Sequence, residues 1–463
     1  MDIVATRQRW THGYAFVLAA TASAVGLGNI WKFPYILGQN GGGAFLTIYL
    51  LTIALIGIPI MMAEVMIGRR GRRSPGYAAL AVAREAHVRD AWQMVGWVGV
   101  IALFVIMSFY AVVSGWVFSY VPRAASGAFV GVDASGAIAT FEGVQSSLSG
   151  MLLWTTLAIT ATFAIVALGL RNGLERGVAL VMPLLFMLLL VAMIGGLWVG
   201  DVEQALDFMF RPDFAALDRH SLLIAVGHAF FTMTLAAGVL MMFGAYLPQQ
   251  VSIAGTAVGV AIADTIVALM AGVAIFPVVF AYGLNPGSGP GLMFEALPLA
   301  LSAIPAGVVL TTLFFATLAL AAFSTMIANV QVFVHLLHEH FGISNLQAAL
   351  ASALAIWGFS LITVFSFSGA DWAQIDWVIL GRELPTLYHL LEHTAINILL
   401  PVSGLLIALF AGWILPTTIT RDELGHPMAA FHIWRLILRY IAPVALLTLF
   451  WQLSTLSSHL PLT

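Results

Sequence analysis

An all-α protein that crosses the membrane many times is the fold class this sequence predicts, and three observations predict it. Of 463 residues, 61% are hydrophobic and only 8% charged, and the mean hydropathy of +1.00 lies far outside the range of soluble domains. The apolar residues form long continuous runs, not ten-residue alternating stretches, so helices and not a barrel would satisfy the backbone in lipid. Basic residues fall between alternate runs, as they do where arginine orients the spans.

Apolar blocks lie at roughly 14–37, 43–68, 92–122, 150–169, 174–199, 221–247, 252–282, 305–337, 346–366, 388–415 and 431–456, about eleven spans, each judged against the ~20 residues needed to cross a bilayer. Arg7 and Arg9 precede span one. Arg69, Arg70, Arg72, Arg73, Arg84 and Arg89 follow span two, Arg123 follows span three, and Arg171 and Arg176 follow span four. Arg211 and Arg219 follow span five, Arg382 follows span nine, and Arg421, Arg435 and Arg439 follow span ten. With the N-terminus in the cytoplasm, thirteen arginines fall inside and four outside, which favours that orientation. No cleavable signal is expected before Tyr14. The absence of cysteine excludes disulfides and thiolate chemistry. The net charge of −3 says little about partners. No basic nucleic-acid face is present, and the polar interruptions near 123–149 and 367–387 read as external loops.

Two spans are broken at their middles. "TASAVGLGNIWKFPYILGQNGGGAF" places Gly26, Gly28 and Asn29 inside span one with Lys32 just beyond, and "FFTMTLAAG" places Thr232, Thr234 and Gly238 inside span six. Interruptions at matching positions of two five-helix halves point to a transporter site, where unwound carbonyls bind cations and half-helix N-termini attract an anion. Close helix packing by Gly and Thr is the plainer alternative.

"SAVGLGNIWKFPYILGQNGGGAF" resembles the hallmark of the neurotransmitter:sodium symporter family. "GIPIMMAEVMIGRRG", "GHAFFTMTLAAG", "GPGLMFEALP" and "NILLPVSGLLIALFAGW" follow in the family's order. The resemblance spans the whole chain as a single transporter domain, residues 1–463. It implies a leucine-transporter-like fold: a first repeat at about 10–200, an inverted second repeat at about 220–415 and an extra span at about 431–456. The implied activity is sodium-coupled amino-acid symport by alternating access, without an organic cofactor.

Carried over motif by motif, the resemblance implies two sodium sites. The first would take the Ala24 carbonyl, Asn29, Thr232 and Asp264. The second would take the carbonyls of Ala22, Val25 and Ala321 and the hydroxyls of Ser324 and Thr325. Gly26 stands where amine carriers have aspartate, so the substrate should bring its own carboxylate, received by the amides of Leu27 and Gly28 and by Tyr110. Its side chain would meet Ile106, Phe231, Thr234, Ala237, Met326 and Asn329. Ala237 replaces an aromatic and Asn329 an aliphatic residue of the leucine-type pocket, which implies a neutral substrate larger or more polar than leucine. Lys32 with Glu392 would form the outer gate, and Arg7 with Glu339, braced by Trp10 and Tyr246, the inner one.

Alignment on Gly272 places Asp264 where the family usually has asparagine, and Ala268 where chloride-dependent members have serine. Counting from Pro277 shifts the register by one. If the register holds, Asp264 supplies the negative charge and chloride is unnecessary; proton uptake shared with His228 is then an option on the return step. A structural pairing of Asp264 with His228 or Tyr49 is the alternative. Expected partners are a small amino acid and the lipid bilayer, with no nucleic acid and a homodimer left open. Two competing functions are a channel on the same fold and a membrane metalloenzyme using His335, His338 and His340.

Overall fold

The structure is a computed structural model that describes residues 13–289, 291–302, 306–379, 382–425 and 427–455. Its helices follow the apolar blocks in order. Among the described residues nine are long and apolar enough to cross a bilayer: Gly43–Gly71, Asp90–Ala125, Leu148–Val166, Leu170–Val199, Ile253–Ala281, Gly307–Phe341, Asn345–Phe367, Leu387–Ile414 and Met428–Phe450. A tenth is the bent pair Ala15–Ala24 and Gly28–Gln39, whose halves meet at 47°. The remaining block is span six, which stops at Thr232 and resumes only as Val239–Ala245. The protein is thus mostly helical and multi-pass, and the spans broken at their middles are those whose midpoints carry Gly, Asn and Thr.

The long polar interruptions are more ordered than simple loops. One holds the helix Ala134–Ser146, started by the Asp133 carboxylate accepting the Gly136 amide. The other holds an antiparallel pair of strands, Gln374–Ile379 and Arg382–Thr386. A window of bilayer length averages over elements this short, so hydropathy passes over them. A short apolar helix, Leu292–Ser302, lies between spans seven and eight. Its Phe294 packs edge-on to Trp31 and Trp116 and stacks on Phe141.

Packing brings the two broken spans to the centre. Ala19, Ala20 and Ala22 of span one are fully buried, their small side chains allowing close helix approach. Spans three and eight run antiparallel beside them, with Phe104 against Phe333 and Phe118 against Phe323. The arginine-rich half of span two lies so close to Val239–Ala245 that a Cβ on Gly244 would stand 2.5 Å from the Val65 carbonyl, and one on Gly68 would collide with that of Met241. Outward faces carry the large apolar side chains that lipid tolerates, such as Leu180 and Trp198, 72% and 76% exposed.

Candidate functional site

The break in span one begins where its first helix ends at Ala24. The Leu27 amide donates to the Tyr110 hydroxyl at 3.2 Å, and the Gly26 amide donates to Asn29 Oδ1 at 3.1 Å. Any side chain at Gly26 would run into the Thr325 and Tyr110 hydroxyls.

The break in span six is held in a strained form. Thr234, Ala236 and Gly238 have φ of +49°, +60° and +78°, and left-handed non-glycine residues cost roughly 1–3 kcal/mol each. Four hydrogen bonds offset that cost. Thr234 Oγ1 donates to the Ser23 carbonyl at 2.7 Å, and Ser403 Oγ to that of Ala236 at 2.7 Å. The two oxygens of Glu64 accept the amides of Ala236 and Gly238, both at 2.9 Å. Sequence reasoning missed Glu64 and Ser403. A carboxylate within an otherwise apolar span is expensive, and that expense was the available signal for Glu64.

Both breaks face one chamber with about 20 Å³ of open room, space for roughly one water. Ala24, Gly26, Gly28, Ile106, Tyr110, Phe231, Thr232, Thr234, Ala237 and Asn329 line it, together with Ser23, Leu103, Thr325 and Leu400. Leu27 and Met326 are buried away from this lining; Leu27 contributes its amide. Ala237 shares the chamber wall with Leu103 and Leu400.

Two oxygen clusters flank the chamber. In the first, Asn29 Nδ2 donates to Asp264 Oδ1 at 2.7 Å and to the Asp264 carbonyl at 3.1 Å. Tyr49 lies 3.3 Å from Asp264 Oδ2 and 3.2 Å from Thr232 Oγ1. Asp264 is fully buried and forms no ion pair with a described residue, so its charge calls for a cation or a proton. The Asn29 oxygen, expected to face an ion, is here turned to the Gly26 amide. In the second cluster, Thr325 Oγ1 reaches the carbonyls of Ala22 and Val25 at 3.1 and 3.2 Å, while Ser324 Oγ donates to Ala321 at 3.0 Å. Oxygens at such separations can converge on a hard cation at ~2.4 Å, and both sets fit sodium in donor chemistry. His228 makes no hydrogen bond to Asp264. Its ring packs against those of Phe33 and Tyr49 at 6.0 and 5.5 Å, so the expected sharing of a proton with Asp264 lacks a direct path.

Each end of the chamber carries ion pairs. Lys32 Nζ lies 3.4 Å from Glu392 Oε1 and 4.6 Å from the centre of the Phe231 ring. At the other end Arg7 and Trp10 lie outside the described residues. Glu339 accepts the Ser74 amide at 2.7 Å, with Arg73 at 3.9 Å. Tyr246 bonds His335 Nδ1 at 2.7 Å. A further clasp went unread in the sequence, where Arg69 counted only as an orienting charge. Its guanidinium donates to Glu423 Oε2 and to the Val251 carbonyl, each at 2.7 Å, with both charged side chains under 5% exposed.

The three histidines near the end of span eight part ways. His335 meets Tyr246, His338 the Ile343 carbonyl and His340 the Tyr77 hydroxyl. Among the described residues no group of three His, Asp or Glu side chains is placed to hold a metal.

A family model described as the sodium:neurotransmitter symporter family matches residues 7–129 and 137–456. An uncharacterized sodium-dependent transporter of Bacillus subtilis, YhdH, is 32% identical over 96% of this chain and 97% of its own length. Another of Haemophilus influenzae is 29% identical over 96% and 97%. Among solved structures, MhsT in complex with L-phenylalanine superposes with a TM-score of 0.87 at 38% identity, covering 96% of this chain and all of that one.

Proposed function

The chain belongs to the sodium:neurotransmitter symporter family, and on that premise we propose that it imports a neutral amino acid with sodium by alternating access. It is a multi-pass transporter of the cell membrane and not an enzyme. One observation carries the finer reading: the Leu27 amide and Tyr110 hydroxyl meet at the break of span one, beside a chamber too short of basic groups to need an acidic substrate side chain. A substrate carboxylate would take the Leu27 and Gly28 amides and the Tyr110 hydroxyl.

Asn29, Thr232, Asp264 and the Ala24 carbonyl would hold one sodium next to that carboxylate, so that substrate and ion each favour the other's binding. Thr325, Ser324 and the carbonyls of Ala22, Val25 and Ala321 would hold a second. Asp264 fills the charge role that chloride has elsewhere, making chloride dispensable. The structure of MhsT with L-phenylalanine supports a neutral, bulky substrate. The division into repeats at about 10–200 and 220–415 is part of the same proposal, as is the placing of the arginine-rich end in the cytoplasm.

The test is thermal stability of the purified protein with a panel of neutral amino acids, in sodium and in choline. Stabilisation by at least one bulky neutral amino acid in sodium only is expected. No stabilisation in either, or equal stabilisation in both, removes the proposal.

A further inference from the structure

Asn329 is a feature of the chamber that a purely apolar side-chain pocket does not need. It lines the chamber, is 3% exposed, and its amide oxygen has no hydrogen-bond partner. Buried polar atoms of native proteins are nearly always paired, and an orphan inside a binding chamber is matched by a group that arrives with the ligand.

The antiparallel packing of spans three and eight says which part of a ligand meets it. Phe104 lies against Phe333 and Phe118 against Phe323, while the Tyr110 and Thr325 hydroxyls both crowd Gly26 and so lie at one level. One turn from Thr325 along span eight is Asn329. One turn from Tyr110 the opposite way along span three is Ile106, with Leu103 a turn further. Side chains four apart share a helix face, so Asn329, Ile106 and Leu103 lie on the same side of the level that receives the carboxylate. Asn329 therefore faces the substrate's side chain. Its neighbours in the lining there, Leu103, Ile106, Ala237 and Leu400, are apolar.

An apolar wall with one buried acceptor suits a bulky side chain carrying a single donor. We infer that Asn329 selects aromatic side chains bearing an N–H or O–H, the indole of tryptophan foremost, over rings of the same size without one. The inference rests on reading the chamber as the amino-acid site. An indole N–H would occupy the Asn329 oxygen while its rings meet the apolar wall. A ring lacking the donor would leave that oxygen unpaired, and it is this loss that discriminates.

Displacement of radiolabelled L-phenylalanine from the full-length protein in sodium compares L-tryptophan with 3-(3-benzothienyl)-L-alanine, its isostere with sulfur in place of N–H. Wild type should prefer tryptophan by about tenfold, the effect of one buried hydrogen bond, and in Asn329→Leu the ratio should fall to near one. Equal binding of the two isosteres by wild type, or a preference that survives in Asn329→Leu, overturns the role of Asn329 and leaves the amino-acid reading standing. Failure of wild type to bind any of the three in a sodium-dependent way overturns both. The wild-type comparison needs no variant, so misfolding of Asn329→Leu cannot hide a negative result.

Discussion

Asp264 is a carboxylate in a membrane interior whose hydrogen-bond donors, Asn29 and Tyr49, are both neutral. Neutral donors soften the desolvation of a charge without cancelling it, so the residue calls for a cation or a proton, and the sodium proposed for this cluster would be that cation. Ala268, one turn along the same helix, is fully buried and brings no polar group to that face. Uptake should accordingly persist when chloride is replaced by gluconate, and the double variant Asp264→Asn, Ala268→Ser should acquire chloride dependence; collapse of wild-type uptake in gluconate would disprove the charge role. That Asp264 and Asn29 belong to one cluster was accessible from the sequence, Asn29 through its motif and Asp264 through the alignment on Gly272; their direct hydrogen bond was not. Tyr49 was named only as a structural partner, since a tyrosine in an apolar helix carries no mark of what its hydroxyl touches.

Span two acts as a splint for the broken span six. Glu64 caps two amides of the break, and Gly68, one turn on, lets the backbone of Val239–Ala245 lie against span two without an intervening side chain. Glu64→Ala should leave two buried N–H groups unpaired at roughly 1–3 kcal/mol each. Thermal unfolding of the purified variant should show a marked loss of stability, with Glu64→Gln, which keeps one acceptor, intermediate; a Glu64→Ala protein as stable as wild type would refute the splint. The eleven apolar blocks and the sites of both breaks were legible from residue chemistry, because lipid forces apolar length and Gly or Thr marks interruption. The splint was not. It depends on which helix lies beside which, and a glutamate quoted within a motif does not announce two amides about 170 residues away along the chain.

Two ion pairs that lie outside the chamber lining, at opposite ends of the molecule, differ in burial. Lys32 and Glu392 are 17% and 27% exposed, whereas Arg69 and Glu423 are 3% and 1% exposed and carry further bonds. A partly exposed pair contributes about 0–1 kcal/mol, while removing one member of a buried pair costs about 3–5 kcal/mol. Arg69→Met should therefore lower the unfolding temperature far more than Lys32→Met does; equal shifts would refute the asymmetry. The weaker end has a chemical consequence. Lys32 is the only lysine of the chain, so apart from the terminal amine it is the sole amine for an amine-selective acylating reagent, and it is held between a carboxylate and the Phe231 ring. Its modification rate in the unaltered protein becomes a stopwatch for how often that end parts, read by mass spectrometry as a single adduct without any introduced label.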